Sequence, residues 1–488
     1  MSANRSRKSI PSRTDTDPST AAKGIPGARA FFEQLVKKVM EGSAGKPLHE
    51  VERGMLAQLL ELGRLVLGGF LETQVEAPAK TIHRHGLDVP FHCRKRTTYF
   101  SMFGVLEIWR PYYWSEASKG GIHPLDAELN LPARRYSYFL QEIAALFAVR
   151  GSYDKVTETL EKLFGVTLWK QGAELVVGDT GELVQEYYET RRGRFASDGP
   201  VLVVSADGKG IPMRKPEKVE KTLRRSGGMR RNKKQMSVVT AVYTADPRPR
   251  TAEQVTASLF GDEGVDRRLD PVEPRNKRVR AWLGPAEDAF DELERHVHER
   301  RPDAKSDRVL LIDGEKRMID KAALPQFDGW TKILDVVHAI QRIWDVGVLV
   351  LGEGNAKDWV RKRVLLLLKG RVDDLAAEVD ALAARAGGAR RKAFKVVSRY
   401  FRANRDRMRY DEYLSRGLPI ATGVVEGACC TLVKQRMEGP GMRWSVEGAH
   451  AVLEMRALDQ NDDWKAFWRW FPAVERLRLY GRPQKLAG

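Results

Sequence analysis

The sequence predicts a mixed α/β protein, and three observations carry that prediction. Two short β-branched runs, Val201-Leu-Val-Val-Ser-Ala and Val309-Leu-Leu-Ile, each end in an Asp-Gly pair at Asp207 and Asp313. Runs this short and apolar, bounded by glycine, read as strands buried on both faces of a sheet. Around them the elements follow in a set order: three strands (from Val201, Met236 and Arg278), a helix near Glu287–Arg300, the Asp313 strand, and a last strand across Gly329–His338. That order is the order of an RNase H-like mixed sheet. Finally, the 112 residues between Asp313 and Glu426 exceed what one strand and one connection need, and their apolar spacing is helical (Val360, Val364, Leu367, Leu368). An α-helical insertion is expected there.

From the N-terminus, residues 1–29 are rich in Ser, Arg, Thr, Pro and Gly and read as a disordered basic tail. Residues 30–76 carry helical apolar spacing (Phe31, Phe32, Leu35; Leu56, Leu59, Leu62). Residues 77–125 form a small β region, with a hairpin expected around Gly104. Residues 126–198 are helical. Within them, Gly165 reads as a helix stop and Thr167 as the next N-cap, the signature of a helix-turn-helix and equally of an ordinary αα-hairpin. The core is expected over 199–350, the insertion over 351–416, the second part of the core over 417–475, and a tail over 476–488.

The chain of 488 residues carries 83 Lys+Arg against 65 Asp+Glu, a net charge of +18. Such an excess speaks of partners rather than fold, and double-stranded DNA is the expected one. The segment Arg214–Lys234 alone holds ten Lys/Arg and two Glu, and the insertion ends in a basic run from Arg390 to Arg409. Three cysteines (Cys93, Cys429 and Cys430, the last two adjacent) leave no disulfide framework, which fits a cytoplasmic, nucleoid-associated protein. The longest uninterrupted apolar stretches, such as Val346–Leu351, are too short for a bilayer, so no membrane partner is expected.

The chemistry is expected from three acids. Asp207 and Asp313 emerge at strand ends, where open α/β sheets keep their sites, and Glu426 opens the helical stretch Gly423–Met437. Carboxylates of this kind hold Mg²⁺ or Mn²⁺, in all two ions, and paired ions cut and join phosphodiesters. Lys209, Arg214, Arg224, Arg225, Arg230, Arg231, Lys434, Arg436 and Arg443 are candidate DNA contacts, and Trp444 is a candidate base-stacking platform. Asp335 and His338 form an Asp-x-x-His pair at the end of the last strand, a candidate auxiliary ligand or proton-transfer pair with a structural pairing as the alternative. His83, His85, His92 and Cys93 lack the Cys-x-x-Cys partner of a zinc site, and Cys429 and Cys430 read as small core residues.

Three segments carry a family resemblance: Ser205–Arg214, Leu310–Glu315, and Ala421–Cys429 continuing through Lys434–Met437 to Gly441–Trp444. They resemble bacterial insertion-sequence transposases of the ISKra type, in the DDE superfamily. The resemblance implies an RNase H-like catalytic domain with a helical insertion and Mg²⁺-dependent cleavage and joining of element ends. Carried over by position, it implies Asp207, Asp313 and Glu426 as the catalytic acids. The family's cysteine-rich ribbon is reduced here to Cys93, so zinc is not carried across. Acting on two ends implies at least a dimer. Two alternatives remain: an RNase H-like nuclease that cuts without joining, and a transposase-derived DNA-binding regulator.

Overall fold

The computed structural model describes residues 24–74, 77–84, 86–118, 120–191, 198–214, 234–261, 273–300, 307–314, 320 and 324–481. The chain divides into two compact units, one of residues 1–176 with 468–488 and one of residues 177–467.

In the first unit the N-terminal helical pattern becomes two helices, Gly24–Gly42 and Leu48–Thr73. Strands β1 (Thr81–Arg84), β2 (Leu87–Ser101) and β3 (Gly104–Tyr113) form an antiparallel sheet. The expected hairpin is present: Ser101 pairs with Gly104 across a two-residue turn, and Gly104 takes φ 115°, which favours glycine. Leu71, Leu106, Ile108, Leu125 and Leu131 make its small core. The helix Tyr153–Phe164 stops at Gly165 in the left-handed region (φ 63°), as expected, but the next helix begins at Lys170. Thr167 is therefore not its cap; Val166 and Leu168 are drawn into the core and keep the linker extended.

Among the described residues one helix, Leu48–Thr73, is long and apolar enough by length and composition to cross a membrane. Uninterrupted runs did not reveal it, because Glu61 and Arg64 break the apolar stretch; the two form an ion pair at 2.5 Å.

The second unit is built on five strands: β4 (Val201–Pro212), β5 (Lys234–Ala245), β6 (Arg275–Trp282), β7 (Asp307–Ile312) and β8 (Thr331–Leu334). Their spatial order is β6-β5-β4-β7-β8, with β4–β5 and β5–β6 antiparallel and β4–β7 and β7–β8 parallel. Period-two alternation feeds two cores. Val201, Val203, Val309 and Leu311 face the helices that follow β8, while Leu202, Val204, Leu310 and Ile312 face the helix Ala286–Arg300. The helical segment consists of Val336–Leu351, Lys357–Leu368, Val372–Arg385, Gly388–Asn404 and Tyr410–Ser415.

Two elements depart from the sequence reading. β4 does not end at Asp207 but runs five residues further, because β5 pairs with it out to Pro212. β8 is only four residues long: Asp335 caps the helix Val336–Leu351, its carboxylate accepting from Val337 N at 3.2 Å. His338 thus sits in a first helical turn and not at a strand end.

Candidate active site

Parallel pairing places the acids. In the β4–β7 ladder the last pair is Ala206 with Ile312, so the next step sets Asp207 beside Asp313. In the β7–β8 ladder the last pair is Ile312 with Leu334, and Asp335 N donates to Ile312 O at 2.8 Å, so Asp335 stands beside Asp313. Asp207 and Asp313 share the side-chain parity of Val203 and Leu311, and therefore one face of the sheet.

Glu426 arrives from the helix Gly423–Ala428, which packs on β4 and β5 and carries the acid exposed in its first turn. Ligand atoms of Asp335, His338 and Glu426 lie within 4.8 Å of one another. Asp335 is fully buried and holds this corner together. Its Oδ1 accepts from Val337 N and, at 3.1 Å, from Thr422 N, the residue that caps the Glu426 helix; its Oδ2 lies 2.6 Å from His338 Nδ1. That hydrogen bond is the first cause holding the His338 pKa above its ordinary value. The charges of Asp335, Asp313 and Glu426 add to it against partial burial.

At the other end, Asp207 Oδ1 accepts from Gly208 N at 2.6 Å, and the Cys429 thiol donates to Oδ2 at 3.4 Å. Burial first, then the Asp207 charge, pushes the Cys429 thiol well up, so it stays a donor. Glu426 and Lys209 also act electrostatically on Cys429, which ties this end to the first. Of the nearby glutamates, Glu426 is the one grouped with Asp335 and His338, while Glu438 is held by Lys234 at 2.6 Å.

The basic candidates divide. Lys209 is half-buried, and Arg214, Lys434 and Arg443 are exposed. Lys209, Lys234 and Lys434 together depress Glu438, the hydrogen bond from Lys234 being the largest cause, so three cations cluster around Glu438, of which Lys209 is two residues on from Asp207 along β4. Arg436, a candidate DNA contact, is inside, and so is Trp444, for which core packing is the equal alternative to base stacking. Arg436 is 2 % exposed and Trp444 7 %; the guanidinium lies 4.8 Å from the indole, and Trp444 Nε1 donates to Met437 O. A π-helical segment at Cys429–Lys434 breaks the regular helix just before Arg436, and Trp444 lies beyond the helix end at Met437, where it is held against the end of β4. Trp444 also bridges to Met213, with Trp444 N on Pro212 O and Arg214 N on Trp444 O. This leaves its ring no open face for a base. Arg224, Arg225, Arg230 and Arg231 lie outside the described residues.

Of the two cysteines expected in the core, Cys429 is buried and Cys430 is exposed. His83 pairs with Asp88 at 2.9 Å, and His92 stacks against Tyr112 and Trp114; His85 lies outside the described residues. Sequence reasoning missed two neighbours of the acids, Cys429 and Tyr400. The phenol of Tyr400 senses the charges of Asp313 and Asp335. Only packing reveals either contact. The cap role of Asp335, in contrast, was available from an Asp preceding a helical run.

No curated protein matches the chain. Residues 43–259 match an uncharacterised protein family (UPF0236), a span that contains Asp207 but ends before Asp313, Asp335 and Glu426.

Proposed function

We propose that the chain is a DNA transposase with an RNase H-like core, cutting element ends and joining them to a target through Asp207, Asp313 and Glu426. One observation supports the reading: Asp207 and Asp313 follow adjacent positions of the parallel β4–β7 ladder, and Glu426 lies with Asp335 and His338 beside the next strand end, on a sheet ordered β6-β5-β4-β7-β8. Counted from β4, that order is 3-2-1-4-5 with the second strand antiparallel, as RNase H-like sheets have it. The net charge of +18 and the lysines around Glu438, Lys209 among them two residues from Asp207, suit a polyanionic substrate.

The donor set fits a hard divalent cation: Asp207, Asp313 and Glu426 offer carboxylate oxygens, with Asp335 and His338 as auxiliaries. Mg²⁺ held there would supply Lewis-acid activation of a water or 3′-hydroxyl and would neutralise the leaving oxygen. The chain's own residues do the positioning. Gly208 N and Cys429 fix the Asp207 carboxylate, and Asp335 fixes the His338 ring while anchoring the Glu426 helix through Thr422. Lys209 and Lys434 lower the cost of bringing phosphates to an acidic site.

The test is strand transfer with labelled element-end DNA bearing a pre-cut 3′-hydroxyl and a plasmid target, with Mg²⁺ against EDTA and wild type against Asp207→Ala. Metal-dependent joining that disappears in the variant supports the transposase. Cleavage without joining points to the nuclease, and binding with neither points to the regulator.

A further inference from the structure

Four carboxylates at one edge repel the phosphates they would act on, so donors are needed on both flanks. Lys209, two residues on from Asp207 along β4, supplies one on that side. On the Asp313 flank the candidates come from the helical segment. Tyr400, on the helix Gly388–Asn404, lies against the backbone after Asp313: a Cβ built on Gly314 would fall 2.5 Å from Tyr400 Oη and 2.6 Å from its ring carbon. Gly314 is thus the residue that lets the phenol approach the acid. Burial first, then the Asp313 and Asp335 charges, raises the Tyr400 phenol to about 12 against the opposing Arg342 charge. It is a neutral donor at pH 7. Arg342, on the helix Val336–Leu351, has its guanidinium carbon 5.3 Å from the Tyr400 ring centroid; its side chain is 48 % exposed and forms a surface ion pair with Asp345 at 3.6 Å, which a phosphate can displace. A guanidinium and a phenol hydroxyl side by side can both donate to one phosphate.

Resting on the function proposed above, we infer that Arg342 and Tyr400 are substrate contacts: they grip a non-bridging phosphate oxygen of the reacting strand on the Asp313 side. The helical segment then takes part in the reaction directly and is more than a cover for the sheet.

Full-length wild type, Tyr400→Phe, Arg342→Gln and Asp313→Ala are compared in metal-dependent cleavage and joining. Substrates carry either native phosphates or a single neutral methylphosphonate, scanned across the positions flanking the cut. Tyr400→Phe keeps the ring packing and Arg342 lies at the surface, so both variants fold, with thermal midpoints near that of wild type. Expected are a drop of about tenfold in kcat for Tyr400→Phe and a rise of about tenfold in KM for Arg342→Gln. At one position, the methylphosphonate weakens wild type yet leaves Arg342→Gln no weaker than it already is. A merely structural role would not produce that non-additivity. If both variants match wild type on every substrate while Asp313→Ala is inactive, the inference is overturned and the function stands. If wild type itself neither cuts nor joins DNA with Mg²⁺ or Mn²⁺, the proposed function fails and takes the inference with it.

Discussion

The thiol of Cys429 and the carboxylate of Asp207 are joined by a hydrogen bond of 3.4 Å, although 222 positions separate them in the chain. A thiol is a weak donor, so this bond orients the carboxylate more than it stabilises the fold. Cys429→Val, which removes the donor but keeps the bulk, is expected to lower DNA cleavage about tenfold with little change in thermal midpoint. Cys429→Ser restores a donor and should recover most of the rate. Equal rates for Val and Ser would show that the thiol does not orient Asp207.

Substituting the acids separates chemistry from binding. Asp207→Asn, Asp313→Asn and Glu426→Gln are each expected to lower cleavage by about 10³-fold or more, and band-shift affinity for element-end DNA should stay close to wild type. Glu438→Gln should retain activity, since Glu438 is engaged by Lys234.

Trp444 is expected to behave as a core residue. Trp444→Ala should cost about 3–5 kcal/mol in denaturant unfolding, and Trp444→Phe distinctly less. A base-stacking role predicts the opposite pattern, with DNA affinity lost at unchanged stability.

Buried charge on the other face of the sheet should govern folding and not turnover. Arg280 is 3 % exposed and bridges Glu292 and Glu454, themselves buried. Arg280→Met leaves buried Glu454 without its arginine, while Glu292 keeps Arg295, and is expected to destabilise by about 3–5 kcal/mol, read from chemical denaturation.

Beside that network His296 is pushed down to about 3, by burial first and then by the Arg280 charge. Its folded pKa lies below its unfolded value of about 6.5, so the unfolded chain binds the extra proton. Stability is therefore fully present above pH 6.5 and declines as the pH falls toward 3, by at most about 1.4 kcal/mol per pH unit. Between pH 6.5 and 5, where few carboxylates titrate, His296→Gln should flatten the decline in thermal midpoint. An unchanged slope would assign it to other groups.

Much of the sheet was legible because burial on both faces leaves a plain mark: Val201–Val204 and Val309–Ile312 admit no polar residue. Asp313 was placed correctly for the same reason, as the first polar residue after such a run. Where the reading failed, local signals and tertiary pairing disagree. Gly208-Lys-Gly-Ile-Pro212 has the composition of a turn, yet β5 holds it as strand. Lys434 and Arg436 both read as DNA contacts, although two positions apart on a helix they fall on opposite faces, and the structure exposes the first and buries the second. Tyr400 lies 87 positions from Asp313 with no local feature to mark it, and only the packing of the helical segment brings the two together.

The antiparallel lengthening of β4 past Asp207 has a consequence for synthesis. Its far end is closed by Trp444, and the Glu426 helix lies against its middle, so the edge bearing Asp207 and Asp313 is finished by the last third of the chain. At about 5–20 residues per second, the ribosome takes roughly 6–23 s to travel from Asp313 to Glu426. For that interval a nascent chain carries the strands that bear Asp207 and Asp313 without the segments that pack on β4.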